Sequence, residues 1–328
     1  MKISVLGSGG WGTALAMQCR DCGAETVLWG KFEDEIDRLC KTRQTPLLGG
    51  VMIPEEILVT TDKNAVGKSD IIIIATPSFA VEENALWLKE ISLAAGAVIV
   101  SVAKGFEKKS LKRFSQVIGG ILTDNKIVVL SGPSHAEEVA RRKPTSIVAA
   151  SEDSEAAKLV QKALMNENFR IYTNTDVIGV ETGAALKNVI AMAAGVCDGM
   201  SLGDNAKAAL ITRGISEIRE LGVSMGAKKE TFAGLSGLGD LIVTCTSQHS
   251  RNRRFGQLIG EGMSAKDALK AVGMTVESYY ATAAAVQLAD KYGVEMPITR
   301  ECYEIIYNNQ PISKAPQKLM SRTGKEEN

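Results

Sequence analysis

The chain has 328 residues, of which 45% are apolar and 23% are charged, a composition typical of a soluble globular protein of about two domains. Basic and acidic side chains balance at 38 each, so no overall field would attract nucleic acid or an anionic membrane, and any anion must bind locally. The uncharged apolar runs are far shorter than the roughly 20 residues of a membrane span, and no signal-peptide segment precedes the first strand. We therefore expect a cytoplasmic protein that binds neither nucleic acid nor a membrane.

Cysteine and histidine are placed too sparsely to indicate a metal centre. The Cys19 and Cys22 pair lies in a predicted helix and lacks the second pair of ligands that a zinc site needs. We expect the six cysteines to be free thiols, as in most cytoplasmic proteins, and we expect no metal. His135 and His249 are the only histidines, which shifts acid–base chemistry onto a lysine or a carboxylate.

The chain begins with a strand, a glycine motif and a helix, in that order. Lys2–Leu6 is a short apolar run, and Thr13–Cys22 has helical periodicity. Between them, Gly7 suits a tight turn, Gly9 lets the backbone approach a pyrophosphate, and Gly12 lets the helix pack on the strand. The pyrophosphate would then bind N–H groups at the helix N-terminus. This order predicts a dinucleotide site.

The end of the second strand bears on the choice of cofactor. Glu25–Trp29 reads as this strand, and NAD-selective sites usually place an acidic residue just after it to bind the ribose 2′-hydroxyl. Here Lys31 follows instead, and an ammonium group suits the 2′-phosphate of NADP. We therefore favour NADP, while Glu33 and Asp34 lie close enough to keep NAD open.

The remaining apolar runs of the first half predict a doubly wound, mostly parallel sheet. Near-continuous isoleucine and valine runs separated by helices are typical of parallel strands buried on both faces. We predict a Rossmann-type α/β domain over residues 1–178. Its further strands are Ile57–Thr60, Ile71–Ala75, Ala97–Val102, Ile127–Leu130 and Ser146–Ala150.

Polar loops follow three of these strands, at the edge of the sheet where ligands of such folds bind. In the first loop, Pro77 either contacts the cofactor or starts a helix that Thr76 caps. In the second loop, Lys104 places a cation over the crevice.

The third loop, Ser131–Ser134, begins a helix. Ser134 and Glu137 have the spacing of a capping box, so Ser134 either caps this helix or contacts a ligand. The two roles are compatible, because a capped helix N-terminus also attracts an anion. His135 is either a donor to substrate or, more commonly for a histidine at a helix start, a local hydrogen-bonding residue.

Helical periodicity replaces the β pattern from about residue 177, which predicts an all-helical second domain over residues 179–328. Ser264 and Asp267 form a start signal for one helix, and Gly222 and Gly293 are stop signals for two others. The polar tail from Pro311 to Asn328 is expected to fray. The predicted helices are Thr182–Val196, Asn205–Leu221, Ala265–Val272, Tyr279–Tyr292 and Thr299–Tyr307.

One charge, Lys187, interrupts the apolar helix Thr182–Val196. Apolar residues surround the axis of this helix, as in helices buried on all sides. A buried ammonium is costly unless it is paired or deprotonated, so such a lysine tends to do chemistry. The alternative is that Lys187 extends its ammonium to water and buries only its aliphatic stem.

Two further segments of the second half have the composition of a binding site. A glycine-dense loop starts at Gly234 and ends at Asp240, and it is followed by Thr244, a candidate substrate contact. Ser250–Arg254 then places three guanidinium groups in five residues. Arginine binds phosphate oxygens in pairs, so this cluster favours a phosphate or cofactor contact over a solvated charged face.

Seven short motifs follow one another along the chain. They are GSGGWGTALA at 7–16, AKG at 103–105, SGPS at 131–134, LKNVIA at 186–191, AALITRG at 208–214, GLGDL at 237–241 and SRNRRFG at 250–256. In this order they resemble the motifs of bacterial-type NAD(P)-dependent glycerol-3-phosphate dehydrogenases, over residues 2 to about 307. The resemblance implies a Rossmann domain followed by an all-α domain of the 6-phosphogluconate dehydrogenase C-terminal type. It also implies reversible reduction of dihydroxyacetone phosphate to sn-glycerol 3-phosphate, which feeds phospholipid synthesis.

The resemblance also implies roles for individual residues. Lys187 resembles the family's catalytic acid/base, and Lys104 its substrate-holding lysine. The residues that resemble substrate contacts are Gly132, Ser134, Asp240, Ser250, Arg251 and Asn252. Cofactor contacts are implied at Gly10, Trp11, Lys31, Ala136, Arg251 and Glu277, to which we add Pro77 and Lys104 from the loops after the strands.

The implied mechanism assigns the proton to one lysine and the phosphate to the basic cluster. Reduced nicotinamide delivers hydride to the ketone carbon while Lys187 protonates the developing alkoxide. Lys104 stabilises the negative charge before proton transfer is complete. Arg251 and Asn252 hold the phosphate and so position the carbonyl.

The chain departs from the family pattern at two places, and two other functions stay open at this point. Leu47 stands where the family usually has an aromatic residue, and His135 replaces its usual phenylalanine, which affects pocket detail rather than chemistry. A β-hydroxyacid dehydrogenase of the same superfamily would act on carboxylates. In a non-catalytic NAD(P)-sensing module, Lys187 and Lys104 would be expendable. The sequence does not set the oligomeric state, for which a homodimer is one option.

Overall fold

A computed structural model describes residues 1–324 and 326 of the chain. The chain packs as two compact units, Met1–Glu181 with Gly234–Ser236, and Thr182–Ala233 with Gly237–Asn328. The predicted domain boundary after residue 178 stays a prediction. Of the tail that was expected to fray, residues 314–320 form a helix, and residues 325, 327 and 328 lie outside the described part.

The first unit contains an eight-stranded sheet of the predicted doubly wound class. Its spatial order is β3-β2-β1-β4-β5-β6-β7-β8, and all neighbouring strands are parallel except β6 and β7. The order reverses between β1 and β4, which is where open α/β sheets form a ligand crevice at the carboxyl ends of their strands. The strands are β1 (Lys2–Leu6), β2 (Glu25–Trp29), β3 (Leu58–Thr60), β4 (Ile71–Ile74), β5 (Val98–Ser101), β6 (Lys126–Ser131), β7 (Thr145–Ala150) and β8 (Phe169–Asn174).

Strand β8 is the one strand of the described sheet that the sequence analysis missed. It lies at the edge of the sheet, and only Phe169 and Ile171 of its six residues are buried. Its alternating polar and apolar residues therefore lack the continuous apolar run by which the central strands were recognised.

Helices cover both faces of this sheet and bury a separate apolar cluster on each face. Along β4, Ile71 and Ile73 belong to one cluster, and Ile72 and Ile74 belong to the other. Successive side chains of a strand point to opposite faces, so four isoleucines in a row serve both cores. The helices are α1 (Gly10–Asp21), α2 (Glu33–Thr42), α3 (Asn64–Gly67), α4 (Val81–Glu90), α5 (Phe114–Ile121), α6 (Ala136–Val139) and α7 (Ser154–Leu164).

The second unit is helical, as predicted, and contains helices that the sequence analysis did not find. The helices α10, α11 and α15 were missed, because α10 and α15 are only seven residues long and the arginines of α11 obscured its apolar positions. The helix α8 crosses from the first unit into the second. The set is α8 (Val177–Gly199), α9 (Asp204–Ser224), α10 (Asp240–Thr246), α11 (Arg251–Gly260), α12 (Ala265–Val272), α13 (Glu277–Tyr292), α14 (Pro297–Tyr307) and α15 (Lys314–Met320).

The predicted start signal and one of the two predicted stop signals in this half are confirmed. The Ser264 hydroxyl accepts from the backbone N–H of Asp267 at the start of α12, and Gly293 ends α13 with φ +67°. Gly222 was wrongly predicted to end a helix, since α9 continues to Ser224. A side chain at 222 would overlap the ring of Phe232, so this glycine is a packing contact and not a stop.

Helix α8 is long and apolar enough to cross a membrane by length and composition alone. However, 94% of its most apolar window is buried inside the protein. That burial is typical of a core helix.

Candidate active site

The glycine loop between β1 and α1 has the shape that a pyrophosphate requires. Gly7 has φ +113°, and a side chain there would lie 2.7 Å from the carbonyl oxygen of Ala75. A side chain on Gly12 would overlap the carbonyl oxygen of Gly7, so helix and strand pack at backbone distance. A side chain on Gly9 would meet nothing within 4 Å, and no side chain caps α1. The loop therefore leaves space and backbone N–H groups for an anion at the N-terminus of a helix.

Three predicted cofactor residues lie close to this loop. Helix α1 begins at Gly10, three residues earlier than predicted, so Gly10 and Trp11 form its first turn. A methyl group on Gly10 would lie 3.8 Å from the Cβ of Ala136 and 3.4 Å from the Cβ of Leu47. The departure from the family pattern at Leu47 is therefore a change beside the glycine loop.

Lys31 follows β2 as predicted, and it is already paired. Its ammonium lies 2.6 Å from the carboxylate of Glu83 on α4, and both side chains are more than half exposed. Glu35, on α2, accepts a hydrogen bond of 2.9 Å from the hydroxyl of Ser8 in the glycine loop. Sequence reasoning missed Glu83 and Glu35, because neither lies within a motif.

The helix after β4 does not start at Pro77, as one of the two readings of this loop predicted. Pro77 precedes a short 3₁₀ helix over Ser78–Ala80, and α4 begins only at Val81. Thr76 caps neither helix, and its hydroxyl instead accepts a hydrogen bond of 3.2 Å from the side chain of Asn84. Pro77 thus lies in a turn at the carboxyl edge of the sheet, and its cofactor contact stays a prediction.

The loops after β5 and β6 meet at the carbonyl group of Gly132. The ammonium of Lys104 donates to this oxygen at 3.3 Å, and the hydroxyl of Ser134 donates to it at 3.0 Å. Gly132 has φ +145°, and a side chain there would lie 2.9 Å from the Cα of Ile147. The structure therefore brings together three predicted substrate residues of the first unit.

The capping box predicted for Ser134 and Glu137 is wrong. Helix α6 begins at Ala136, with His135 in the N-cap position and no side-chain cap. Because the helix starts later than predicted, Glu137 is its second residue rather than its third. The Ser134 hydroxyl is directed to Gly132 instead.

Lys187 is buried in α8, so the alternative of a lysine that extends to water is wrong. Only 6% of its side chain is exposed, and its ammonium lies 2.5 Å from the carboxylate of Asp240. The ammonium also donates to the hydroxyl of Thr244 at 2.7 Å. That hydroxyl donates in turn to the backbone carbonyl of Asp240 at 2.6 Å. Three predicted residues of the second unit thus form one connected buried group.

Asp240 lies at the point where a π-helical turn passes into an α-helix. A π-helical turn over Leu235–Gly239 leads into α10, and Asp240 is the first residue of α10. Burial raises the pKa of the neighbouring Cys245 thiol to about 12, and the positive charge of Lys187 opposes this shift. The thiol is therefore protonated and inert near neutral pH.

A second buried ion pair holds the start of α8 within the first unit. The carboxylate of Glu181 accepts from the guanidinium of Arg113 at 2.6 Å and from the backbone N–H of Ser115 at 2.8 Å. Burial raises the pKa of Glu181, and the charge of Arg113 opposes the shift. This pair anchors the turn of α8 that precedes Lys187.

The basic segment Ser250–Arg254 does not direct all its guanidinium groups to one place. Ser250 caps α11 by accepting from the backbone N–H of Arg253 at 3.2 Å. The Arg253 guanidinium binds Asp198 at 2.7 Å, whereas Arg251 and Arg254 are exposed. Arg251, the first residue of α11, and Arg254 are thus the two exposed guanidinium groups of the cluster.

Asn252 is held by hydrogen bonds at both ends of its amide. Its Nδ2 donates to the side chain of Asn188 at 2.9 Å, and its Oδ1 accepts from the backbone N–H of Ser278 at 2.9 Å. Glu277, the predicted cofactor residue, is the first residue of α13 and adjoins Ser278. Sequence reasoning missed Asn188, although it follows Lys187 directly in the motif LKNVIA.

The cavities and the acidic or sulfur side chains add no further site. Within residues 1–324 and 326, no group of three or more His, Cys, Asp or Glu is arranged to hold a metal ion. Cys19 is buried and Cys22 half-buried, and both are free thiols. Two cavities, of about 500 and 360 Å³, contain none of the predicted residues. The second is lined mainly by the 289–297 segment, and the first lies around Val98, Lys126 and α7.

Comparison with known proteins matches both halves of the chain to one family. Residues 2–157 match the family model for the NAD-dependent glycerol-3-phosphate dehydrogenase N-terminus, and residues 176–317 match the model for its C-terminus. The chain is 50% identical to glycerol-3-phosphate dehydrogenase [NAD(P)+] of Thermoanaerobacter sp. (strain X514), over 100% of this chain and 99% of that protein. It is 48% identical to the protein of the same name from Bacillus subtilis (strain 168), over 98% of this chain and 94% of that protein.

A solved structure resembles the whole fold. The crystal structure of glycerol-3-phosphate dehydrogenase from Coxiella burnetii superimposes with a TM-score of 0.92 at 38% sequence identity. The match covers 98% of this chain and 99% of that one. Both the sheet and the helical second half therefore have counterparts in that enzyme.

Proposed function

Because the chain belongs to the NAD-dependent glycerol-3-phosphate dehydrogenase family, we propose that it interconverts dihydroxyacetone phosphate and sn-glycerol 3-phosphate by hydride transfer. The buried group of Lys187, Asp240 and Thr244 is the observation that carries this proposal. Such a group supplies a proton carrier that is shielded from water and fixed in direction. The product would supply the glycerol backbone of phospholipids, in a cytoplasmic enzyme.

Lys187 has the proposed role of acid and base. When bound, the reduced nicotinamide supplies the hydride. As an ammonium, Lys187 gives a proton to the alkoxide oxygen during reduction, and as a neutral amine it removes that proton during oxidation. Two of its three N–H donors are directed to Asp240 and Thr244, which fixes the orientation of the group.

The anionic parts of the substrate and the cofactor have separate proposed ligands. Arg251, exposed at the capped start of α11, binds the substrate phosphate together with the N-terminus of that helix. Lys104 stabilises the developing alkoxide, as a cation held by the Gly132 carbonyl. The open glycine loop around Gly9 takes the pyrophosphate of the cofactor.

We further propose that NADP is preferred to NAD. The support is Lys31, an exposed cation directly after β2, whose partner Glu83 is equally exposed. An exposed ion pair contributes only about 0–1 kcal/mol, so a 2′-phosphate can replace Glu83 at low cost. NAD offers no such charge at this position.

The experiment that tests this function compares substrates and cofactors in one initial-rate panel. Oxidation of NADH and NADPH is followed with dihydroxyacetone phosphate, with unphosphorylated dihydroxyacetone, and with a set of 2- and 3-oxoacids. We expect turnover of dihydroxyacetone phosphate, faster with NADPH, and little of the others. Turnover of the oxoacids instead would identify a hydroxyacid dehydrogenase, and no turnover of any substrate would favour a non-catalytic sensor.

A further inference from the structure

Helices α8 and α11 pack at backbone distance along a row of glycines. A side chain on Gly256 of α11 would overlap the carbonyl oxygen of Met192, and one on Gly260 would lie 2.5 Å from that of Val196. On α8, side chains at Gly195 and Gly199 would overlap the carbonyl oxygens of Arg253 and Gln257. Each of these four positions therefore excludes even a methyl group.

The contacts between the two helices recur every four residues on both of them. Asn252 bonds to Asn188, Gly256 meets Met192, and Gly260 meets Val196, so that each step of four residues on one helix matches four on the other. The helices thus run side by side in the same direction. A slip of one turn would move one helix about 5.4 Å along the other and would bring side chains into the backbone contacts.

Two polar contacts fix this register. At one end, the side chains of Asn252 and Asn188 are hydrogen-bonded at 2.9 Å. Further along α8, Asp198 binds the guanidinium of Arg253 at 2.7 Å and the ammonium of Lys207 at 2.8 Å. Asp198 therefore holds the first turn of α11 against a helix that also carries Lys187.

This register links the backbone positions of the two residues that the proposed function assigns to the phosphate and to the proton. Arg251 precedes Asn252, Lys187 precedes Asn188, and the hydrogen bond between the two asparagines joins these positions. Arg251, the proposed phosphate ligand, and Lys187, the proposed proton donor, are thus each adjacent in sequence to one of the two hydrogen-bonded asparagines. Any change in how α11 lies on α8 changes the distance between them.

We propose that the α8–α11 glycine interface sets the phosphate-to-carbonyl distance that the enzyme accepts, with Asp198 as a positioning residue. The selected substrates are ketones with a single methylene between the carbonyl carbon and the phosphate ester oxygen. This inference rests on the proposed function, which assigns the phosphate to Arg251 and the proton to Lys187. It extends that function by naming the structural feature that determines the accepted distance between the substrate's phosphate and its carbonyl group.

The test compares two substrates that differ in the distance between carbonyl and phosphate, and so measures selectivity in addition to activity. For each variant, kcat/KM is determined for dihydroxyacetone phosphate and for its homologue with one additional methylene before the phosphate. Gly256→Ala must push α11 away from α8, and a misplacement of about 1 Å can cost roughly 100-fold in rate. We expect Gly256→Ala to lower kcat/KM by about 100-fold for dihydroxyacetone phosphate but by only about tenfold for the homologue. The preference for dihydroxyacetone phosphate should therefore fall about tenfold.

A second variant and a control keep the test decisive. Asp198→Asn keeps every glycine contact, and we expect it to lower the same selectivity about threefold or more, so it decides the outcome if Gly256→Ala does not fold. Gly120→Ala is the control, since this helical glycine of α5 has nothing within 4 Å of the added methyl group. Equal losses for the two ketones, in whichever of these two variants folds, would overturn the inference alone. A wild-type enzyme that does not reduce dihydroxyacetone phosphate would instead overturn the proposed function, and this inference with it.

Discussion

The ammonium of Lys187 lies 2.5 Å from the carboxylate of Asp240, and the two side chains are only 6% and 2% exposed. Removing two charges from water costs several kcal/mol per ion, so a buried pair is a poor means of stabilising a fold. It is, however, an effective way to hold an ammonium in one orientation in a dry site. The pair is thus better explained by chemistry than by stability.

Removing only the lysine should destabilise the protein strongly. Lys187→Met leaves the Asp240 carboxylate buried without its cation, and breaking such a pair typically costs about 3–5 kcal/mol. The double variant Lys187→Met/Asp240→Asn should recover most of this loss, because no buried charge remains. Urea unfolding of the three proteins measures the effect. A single variant as stable as the wild type would show that the pair is not buried as described.

Lys104 should matter for rate and not for folding. Lys104 is only half-buried, and methionine keeps most of its aliphatic stem, so Lys104→Met should leave the melting temperature nearly unchanged. Loss of one donor to a developing oxyanion costs about 10²–10³-fold in kcat. Steady-state kinetics in the reducing direction measure this, with the exposed Lys109→Met as the matched control. A fall in kcat of the same size in the control would contradict the assignment.

Cofactor preference should depend on the Lys31 and Glu83 pair. Lys31→Ala should lower kcat/KM for NADPH by about two- to fivefold, the equivalent of one exposed charge contact, and should leave kcat/KM for NADH nearly unaffected. Glu83→Gln should act in the opposite direction, because it releases the ammonium for the 2′-phosphate. Initial rates with each cofactor at fixed dihydroxyacetone phosphate provide the comparison. Parallel changes for NADH and NADPH would exclude Lys31 as the selective residue.

The stability of the second unit should fall as the pH rises towards neutrality. Glu217 of α9 is buried against the first turn of α14, accepting from the backbone N–H groups of Ile298 and Thr299, and burial raises its pKa from 4.5 to about 7. The folded protein therefore keeps a proton that the unfolded chain releases, and stability decreases between about pH 4.5 and pH 7. The shift corresponds to roughly 3 kcal/mol.

The Glu217 contribution is isolated by substitution. Glu217→Gln should flatten the dependence of the unfolding free energy on pH over this range, whereas Glu230→Gln, at an exposed position that does not contribute to the pKa of Glu217, should not. Denaturant unfolding at pH 5, 6 and 7 measures all three proteins. Curves of equal slope for wild type and Glu217→Gln would show that another group titrates.

The sheet could be predicted from the sequence because its central strands are apolar on both faces. The four consecutive isoleucines of β4 are typical of a parallel strand buried on both faces, and the glycine loop marks the first turn. Strand β8 could not be found in this way, since half of its residues face solvent. Helix α11 was hidden because its arginines were interpreted as one ligand cluster, although Arg253 is used within the fold.

The candidate site was predictable as a set of residues but not as a set of contacts. Lys187 could be singled out as a charge in an apolar helix, and Asp240 as the end of a glycine-dense loop. Their pairing joins positions 53 residues apart, and that of Asp198 with Arg253 joins positions 55 apart. Such pairings depend on how helices pack, which no local pattern of residue types encodes. The same is true of the glycine contacts between α8 and α11.

The central claim is that Lys187 transfers the proton to the substrate oxygen, and single-turnover kinetics test it most directly. Enzyme loaded with NADPH is mixed with saturating dihydroxyacetone phosphate, and the loss of NADPH absorbance is followed for wild type and Lys187→Met at a temperature where both are folded. We predict a rate about 10²–10⁴-fold lower for the variant, with unchanged affinity for NADPH. A folded Lys187→Met enzyme that oxidises NADPH at a rate close to that of the wild type would contradict the claim.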